Sequence, residues 1–197
     1  MILPRKSRLL LATRNLGKCR EIQAVLADLE IQILTLLDFP TLPEVEETGA
    51  TFAENARLKA RYCWEQTSLP SLADDSGLAV DALGGRPGVQ SARFAPSDSE
   101  RVVRLLALMR PFEPPDQRKA RFLCALCLVS DSGALEVEAS VEGRIAANPA
   151  GEAGFGYDPI FYYPPLGRTF GQLTNAEKNA VSHRFLALQK LRAKLVE

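Results

Sequence analysis

Runs of apolar residues alternate along the chain with segments whose apolar positions recur every three to four residues, the arrangement expected of an α/β fold. Arg8 to Ala12 is a short apolar run that predicts an inner strand. Lys18 to Leu29 carries Ile22, Val25, Leu26 and Leu29 at helical spacing. Ile31 to Thr35 predicts a second strand, followed by a polar, proline-containing stretch to Gly49. Thr51-Phe52-Ala53-Glu54 has the form of a capping box, in which the threonine hydroxyl and the glutamate carboxylate each accept a backbone N–H left over at the helix start. It opens a helix to about Gln66, with Ala53, Ala56, Ala60, Cys63 and Trp64 as the packed stripe. Asn55, Lys59 and Tyr62 share another face of that helix, at spacings of four and three.

The apolar run Leu69 to Ala73 ends in Asp74 and Asp75 and a Ser-Gly pair that reads as a turn, and Leu78 to Leu83 resumes an extended run. Gly84 to Gly88 is a tight loop by its glycine and proline content. Ser97-Asp98-Ser99-Glu100 is a second capping box, leading a helix to about Met109 that Pro111, Pro114 and Pro115 stop. Arg121 to Ser130 and Leu135 to Ile145 predict a hairpin around Asp131-Ser132-Gly133. Its first arm is apolar on both faces and therefore central; its second alternates, with one wet face. Thr174-Asn175-Ala176-Glu177 is a third capping box, opening a C-terminal helical region with Val181, Phe185, Leu188 and Leu195 as its buried stripe.

The length, 197 residues, suits one domain over 1–197 with a substantial core. Basic and acidic residues balance at 24 each, so no overall field draws the chain to nucleic acid or an anionic membrane. Behind Arg5, Lys6 and Arg8 the apolar run stops at Ala12, too short for a signal sequence, and nothing approaches a membrane span. A cytoplasmic protein is expected, with a small-molecule ligand and neither nucleic acid nor membrane as partner. Cys124 and Cys127 form a C-x-x-C inside a predicted strand. Positions three apart on a strand face opposite sides, so the pair cannot grip one metal, and all four cysteines read as buried thiols.

Three stretches carry candidate chemistry. Asp74 and Asp75 follow an apolar run like that of a buried parallel strand, and ligands of open α/β sheets sit beyond strand carboxyl ends. Adjacent residues there point in opposite directions, so one carboxylate can face a ligand while the other braces the turn; Asp-Ser-Gly is also common in ordinary turns. Thr13-Arg14-Asn15-Leu16-Gly17-Lys18 joins a strand to a helix, where free N–H groups suit a phosphate. It is no Walker A loop, with Ala12 in place of glycine and Cys19 in place of the magnesium-holding hydroxyl. The same residues equally suit an N-capped turn with a surface lysine. Phe155-Gly156-Tyr157-Asp158 offers two rings and a carboxylate to a flat ligand, or equally tucks into the core.

Together these stretches resemble the RdgB-like inosine/xanthosine triphosphate pyrophosphatases. The resemblance rests on Thr13-x-Asn15-x-x-Lys18, Glu47-Thr48-Gly49-x-Thr51-Phe52-x-Glu54-Asn55-Ala56, Leu58-Lys59-Ala60 and Ala73-Asp74-Asp75-Ser76-Gly77-Leu78. It continues through Leu83-Gly84-Gly85-x-Pro87-Gly88, Gly154-Phe155-Gly156-Tyr157-Asp158-Pro159 and Ser182-His183-Arg184. The chain departs from the pattern at Gln90, where tyrosine is usual, and across Pro96 to Asp116, neither of which is expected to touch the site. The resemblance implies an α/β fold with a central mixed sheet flanked by helices, as in the ITPase-like and Maf/Ham-like enzymes. It further implies two lobes with a cleft between them, a homodimer, and magnesium-dependent hydrolysis of a non-standard purine nucleoside triphosphate to monophosphate and pyrophosphate. Carried over, Thr13, Arg14, Asn15, Leu16, Gly17 and Lys18 cradle the phosphates, and Lys59 and Lys178 complete a cationic clamp. Glu47 and Asp75 hold magnesium, Asp75 also accepts the proton of water, and Ser76 touches substrate. Phe155, Gly156, Tyr157, Asp158, His183 and Arg184 hold the base. A Maf-like pyrimidine nucleotide pyrophosphatase and a non-catalytic nucleotide-binding module are the competing readings; the presence of both Asp74 and Asp75 argues against the second.

Overall fold

A computed structural model of the chain describes residues 7–196, so Arg5 and Lys6 lie outside the described residues. Strand β1 (Arg8–Leu11) leads into helix α1 (Leu16–Leu26), then β2 (Gln32–Thr35), α2 (Phe52–Thr67) and β3 (Ser71–Val80). Helix α3 (Asp98–Leu108), β4 (Lys119–Ser130) and β5 (Gly133–Ile145) follow. Two short strands, β6 (Phe161–Tyr163) and β7 (Arg168–Thr169), precede α4 (Asn175–Val181) and α5 (His183–Val196). The sheet is mixed, in the order β2-β1-β3-β4-β5-β6-β7. β1 runs parallel to both β2 and β3, whereas β5, β6 and β7 pair antiparallel. Among the described residues no helix is long and apolar enough to cross a membrane.

The chain divides into two compact units. One holds the chain up to Asp75, Cys124–Ala139 and the chain from Arg184; the other holds Ser76–Leu123 and Ser140–His183. In the first unit strand alternation sorts side chains into two cores. Leu9, Leu11, Leu72, Cys124 and Leu126 pack with Cys19, Ile22 and Leu26 of α1 and with Ala187, Leu188 and Leu191 of α5. Leu10, Ala12, Ala73, Ala125 and Cys127 pack with Ala56, Ala60 and Cys63 of α2. The expectation of four buried thiols holds, and Cys124 and Cys127 belong to different cores. The second unit is built on Phe122, Phe161 and Phe170, the last two meeting edge to face at 4.9 Å.

All three capping boxes form, at Thr51/Glu54, Ser97/Glu100 and Thr174/Glu177. The expected turn after Asp75 does not. β3 runs straight through Asp74, Asp75, Ser76 and Gly77 to Val80, and a short helical turn replaces the rest of the Leu78 to Leu83 strand. Gly77 serves close packing there: a Cβ on it would lie 2.4 Å from Ser91 Oγ, whose hydroxyl accepts from Leu78 N at 2.9 Å. The C-terminal helical region breaks at Ser182, and α5 buries Ala187, Leu188, Leu191 and Leu195, leaving Phe185 half-buried.

Glu177 offers a pH test of this packing. A hydrogen bond from Arg168, with those from Thr174, holds its carboxyl down to about 2. A carboxyl depressed on folding stabilises the fold above its unfolded value, near 4.3, and that contribution is lost as pH falls through the folded value. Glu177→Ala should therefore melt below wild type at neutral pH. The gap should close as pH falls from about 4 toward 2. A gap independent of pH would mean that the carboxylate charge contributes nothing.

Candidate active site

In the first unit, β1 lies between β2 and β3, and the two crossovers, through α1 and α2, lie on opposite faces of the sheet. Such a reversal of strand order opens a crevice beyond the strand ends, the usual ligand position in α/β sheets. β1 ends at Leu11, paired with Leu72 of β3, so Asp74 and Asp75 extend past it. Adjacent on the strand, they face opposite helices, as alternation requires.

Asp74 turns toward α1 and α5 and is fully buried. Its carboxylate accepts from Lys18 Nζ at 2.6 Å and from Arg184 Nε at 2.7 Å, and the Cys124 thiol donates to Oδ2 at 3.3 Å. Burial pushes its carboxyl up, but Arg184 and Lys18 outweigh it and hold the group well below the usual range. Asp75 turns toward α2. Lys59 Nζ donates to its Oδ1 at 3.0 Å and Asn55 Nδ2 to its Oδ2 at 3.1 Å. Burial pushes this carboxyl above its ordinary value against the pull of Lys59 and Lys18, with Glu47 adding to the push. The two neighbours are thus tuned in opposite directions, one held as an anion by its cations and the other made more basic by burial.

Lys59 Nζ also donates to Glu47 Oε1 at 2.6 Å and to the Asp74 carbonyl at 3.0 Å. That same carbonyl accepts from Lys18 Nζ at 3.2 Å. Two ammonium groups, one from each face of the sheet, therefore meet at one oxygen. Asn55 Oδ1 accepts from Gly49 N at 2.8 Å, fixing the loop that carries Glu47.

At the start of α1, Asn15 is the cap residue, its Oδ1 accepting from Lys18 N at 3.0 Å. Thr13 Oγ1 accepts from Asn15 N at 3.1 Å. No acidic residue occupies the first turn, so the positive end of the helix is uncompensated. Leu16 is exposed and Gly17 half-buried. Arg14 reaches away, donating to the Leu42 carbonyl at 2.7 Å and pairing with Glu44 at 3.3 Å, so it anchors the neighbouring loop.

The second unit holds the aromatic loop. Asp158 Oδ2 accepts from Phe155 N at 2.9 Å and from Lys178 Nζ at 2.6 Å, and the Lys178 ammonium lies 4.6 Å from the Phe155 ring centroid. Gly154 adopts φ 79°, and a Cβ there would lie 1.9 Å from Asp158 Oδ2. Gly156 N donates to Asp98 Oδ2 at 2.7 Å, and Tyr157 Oη donates to the Ser91 carbonyl at 2.9 Å. His183 stacks on Phe122 at 4.7 Å with an interplanar angle of 11°. Ser76 is half-buried on β3.

The structure brings together Lys18, Lys59, Glu47 and Asp75 in the first unit, and pairs Lys178 with Asp158 in the second. Three of the residues expected at the base also have partners within the fold. Phe155 is half-buried, but Tyr157 is buried in the core with its hydroxyl engaged, and the Asp158 carboxylate closes its own loop. Arg184, expected at the base, is among the largest fully buried side chains; its guanidinium braces Asp74 and also donates to Glu21. The segment around α3, expected to be remote, reaches the loop through Asp98. Of the residues not anticipated, Glu21 has a local signal, lying one turn beyond Lys18 on α1, while Ser91 and Asp98 have none.

Paired lysines and carboxylates at a strand-order reversal define an α/β protein with a charged site at the usual ligand position of its sheet. The model of the Ham1 family matches residues 9–194, and the chain belongs to that family. It is 50% identical over 186 residues to a dITP/XTP pyrophosphatase from Geobacillus kaustophilus, covering 93% of this chain and 91% of that protein. Among solved structures, a HAM1 protein from Coxiella burnetii superposes with a TM-score of 0.87 at 43% identity, covering 96% and 98% of the two chains. A nucleoside-triphosphatase / dITP/XTP pyrophosphatase from Mycobacterium abscessus gives 0.75 at 45% identity, covering 93% and 98%.

Proposed function

We propose that this chain is a single-domain, magnesium-dependent pyrophosphohydrolase of non-standard purine nucleoside triphosphates such as ITP, dITP and XTP, acting in the cytoplasm as a homodimer. The observation that carries this reading is the meeting of Lys18 and Lys59 at the Asp74 carbonyl. Two like charges held together repel each other, and a polyanion relieves that repulsion. Asp75, beside them, has the raised basicity a proton acceptor needs. The named activities of the relatives support the same reading.

Thr13 to Lys18 then cradle phosphate oxygens with the backbone N–H groups at the start of α1, and Lys18 and Lys59 neutralise charge. Glu47 and Asp75 fit magnesium: hard carboxylate oxygens from two segments converge on one point, leaving remaining positions to phosphate and water oxygens. When bound there, the ion would polarise the phosphates and acidify a nearby water. Asp75 takes the proton of water as its oxygen bonds to the α-phosphorus and the bond to the bridging oxygen breaks, releasing pyrophosphate and the monophosphate. Asp74, locked as an anion, keeps Lys18 in place. Phe155, with Lys178 against its ring, offers a stacking surface for the base, on the order of 1–3 kcal/mol for any purine. Gly156, Tyr157 and Asp158 shape that surface, and Ser76 and His183 complete the substrate set.

An initial-rate panel with magnesium tests the assignment. ITP, dITP and XTP should turn over faster than ATP, whose base presents a donor where hypoxanthine presents an acceptor. Faster turnover of UTP or dTTP would move the chain to pyrimidine nucleotides, and hydrolysis of none would leave a binding module.

A further inference from the structure

Lys59 does more than add a positive charge. Its ammonium donates to Glu47 Oε1 at 2.6 Å, Asp75 Oδ1 at 3.0 Å and the Asp74 carbonyl at 3.0 Å, so all three of its protons have oxygen acceptors. The side chain is only 14% exposed, and its stem is fixed by α2. Asn55, one turn earlier on the same helix, holds the other oxygen of Asp75 and the backbone at Gly49, so Asp75 is fixed at both oxygens and the loop that carries Glu47 is tied to the same helix. The two acids that fit magnesium therefore already share a cation supplied by the chain itself. Magnesium requires ligand oxygens at about 2.0–2.1 Å in a near-octahedral set and gives up its water reluctantly. It cannot adopt that geometry on these oxygens while an ammonium stands between them, and the ammonium also repels it.

We propose that Lys59 is a built-in counter-ion that excludes free magnesium from the Glu47–Asp75 pair, so that the metal enters only as its nucleotide complex. The inference rests on the pyrophosphohydrolase reading above. The incoming triphosphate gives the ammonium a new acceptor, Lys59 swings from carboxylate to phosphate, and the vacated oxygens take the metal the nucleotide carries. Lys59 is thus a positioning residue for the metal as well as a ligand for the phosphates. Free divalent cation without substrate would not fill the site, and the site would not be idle for want of charge balance.

The test is metal binding without turnover. Manganese is titrated into nucleotide-free protein and followed by the paramagnetic signal of the free ion, for wild type and for Lys59→Gln, with circular dichroism to establish folding. Lys59→Gln should bind one ion at least tenfold more tightly than wild type, and adding Asp75→Asn to it should abolish that gain. Equal affinities, or weaker binding by Lys59→Gln, would overturn the proposal. If Lys59→Gln does not fold, wild type still decides by lysine-selective nitrogen NMR. The Lys59 ammonium resonance should stay in place with millimolar magnesium alone and move when an ITP analogue with a methylene between the α- and β-phosphorus is added. Movement with magnesium alone would overturn it. Failure of the function reading is separate: it would appear as no ITP hydrolysis by wild type, whatever the metal titration gives.

Discussion

Asp75→Asn should lower kcat by about 10² or more, the scale of a lost general base. Asparagine keeps the shape and can still accept from Lys59 through its carbonyl oxygen, but it neither takes a proton nor supplies charge to a metal. Folding should change little, because Lys59 retains Glu47 and the Asp74 carbonyl. In the wild type, burial raises the Asp75 carboxyl, so its base form is lost at a higher pH than for a free aspartate. The acid limb of kcat/KM should accordingly lie above about 3.9 and disappear in the variant. Near-normal turnover by Asp75→Asn at saturating magnesium would remove Asp75 from the chemistry.

Arg184→Met should destabilise the fold by about 3–5 kcal/mol, the range for removing one partner of a buried ion pair. The guanidinium is fully buried, with Asp74 and Glu21 as its acceptors, and methionine fills part of the volume while leaving both carboxylates short of a cation. Chemical denaturation measures the loss. Because Asp74 in turn holds Lys18, the folded fraction should also lose activity, and by the same factor on ITP and on ATP. A selective loss on ITP with unchanged stability would make Arg184 a base contact, as the sequence resemblance implies.

Much of this was legible in the chain. The three capping boxes, the central strands and the opposite facing of Asp74 and Asp75 follow from local hydrogen bonding and from the alternation of a strand, both short-range rules. The continuation of β3 was not, because Ser-Gly after two aspartates carries turn chemistry, whereas here Gly77 answers to Ser91, fourteen positions on. β6 and β7, three residues and two, are too short to show a period. Arg184 was legible as part of a motif, yet its partner Asp74 lies 110 positions away. No spacing rule reaches that far. Tyr157 and Asp158 had the residue types of a ligand loop, and what the sequence did not show is that both are buried, the ring of one in the core and the carboxylate of the other bonded to its own loop.

The most direct test is where water enters. ITP is hydrolysed in water enriched in the heavy oxygen isotope, free of contaminating pyrophosphatase, and the products are separated and weighed by mass spectrometry. One labelled oxygen should appear in IMP and none in pyrophosphate, with the two products in equal amounts and no IDP. Label in pyrophosphate, or the appearance of IDP with orthophosphate, would place the attack on another phosphorus and contradict the roles given to Lys18, Lys59 and Asp75.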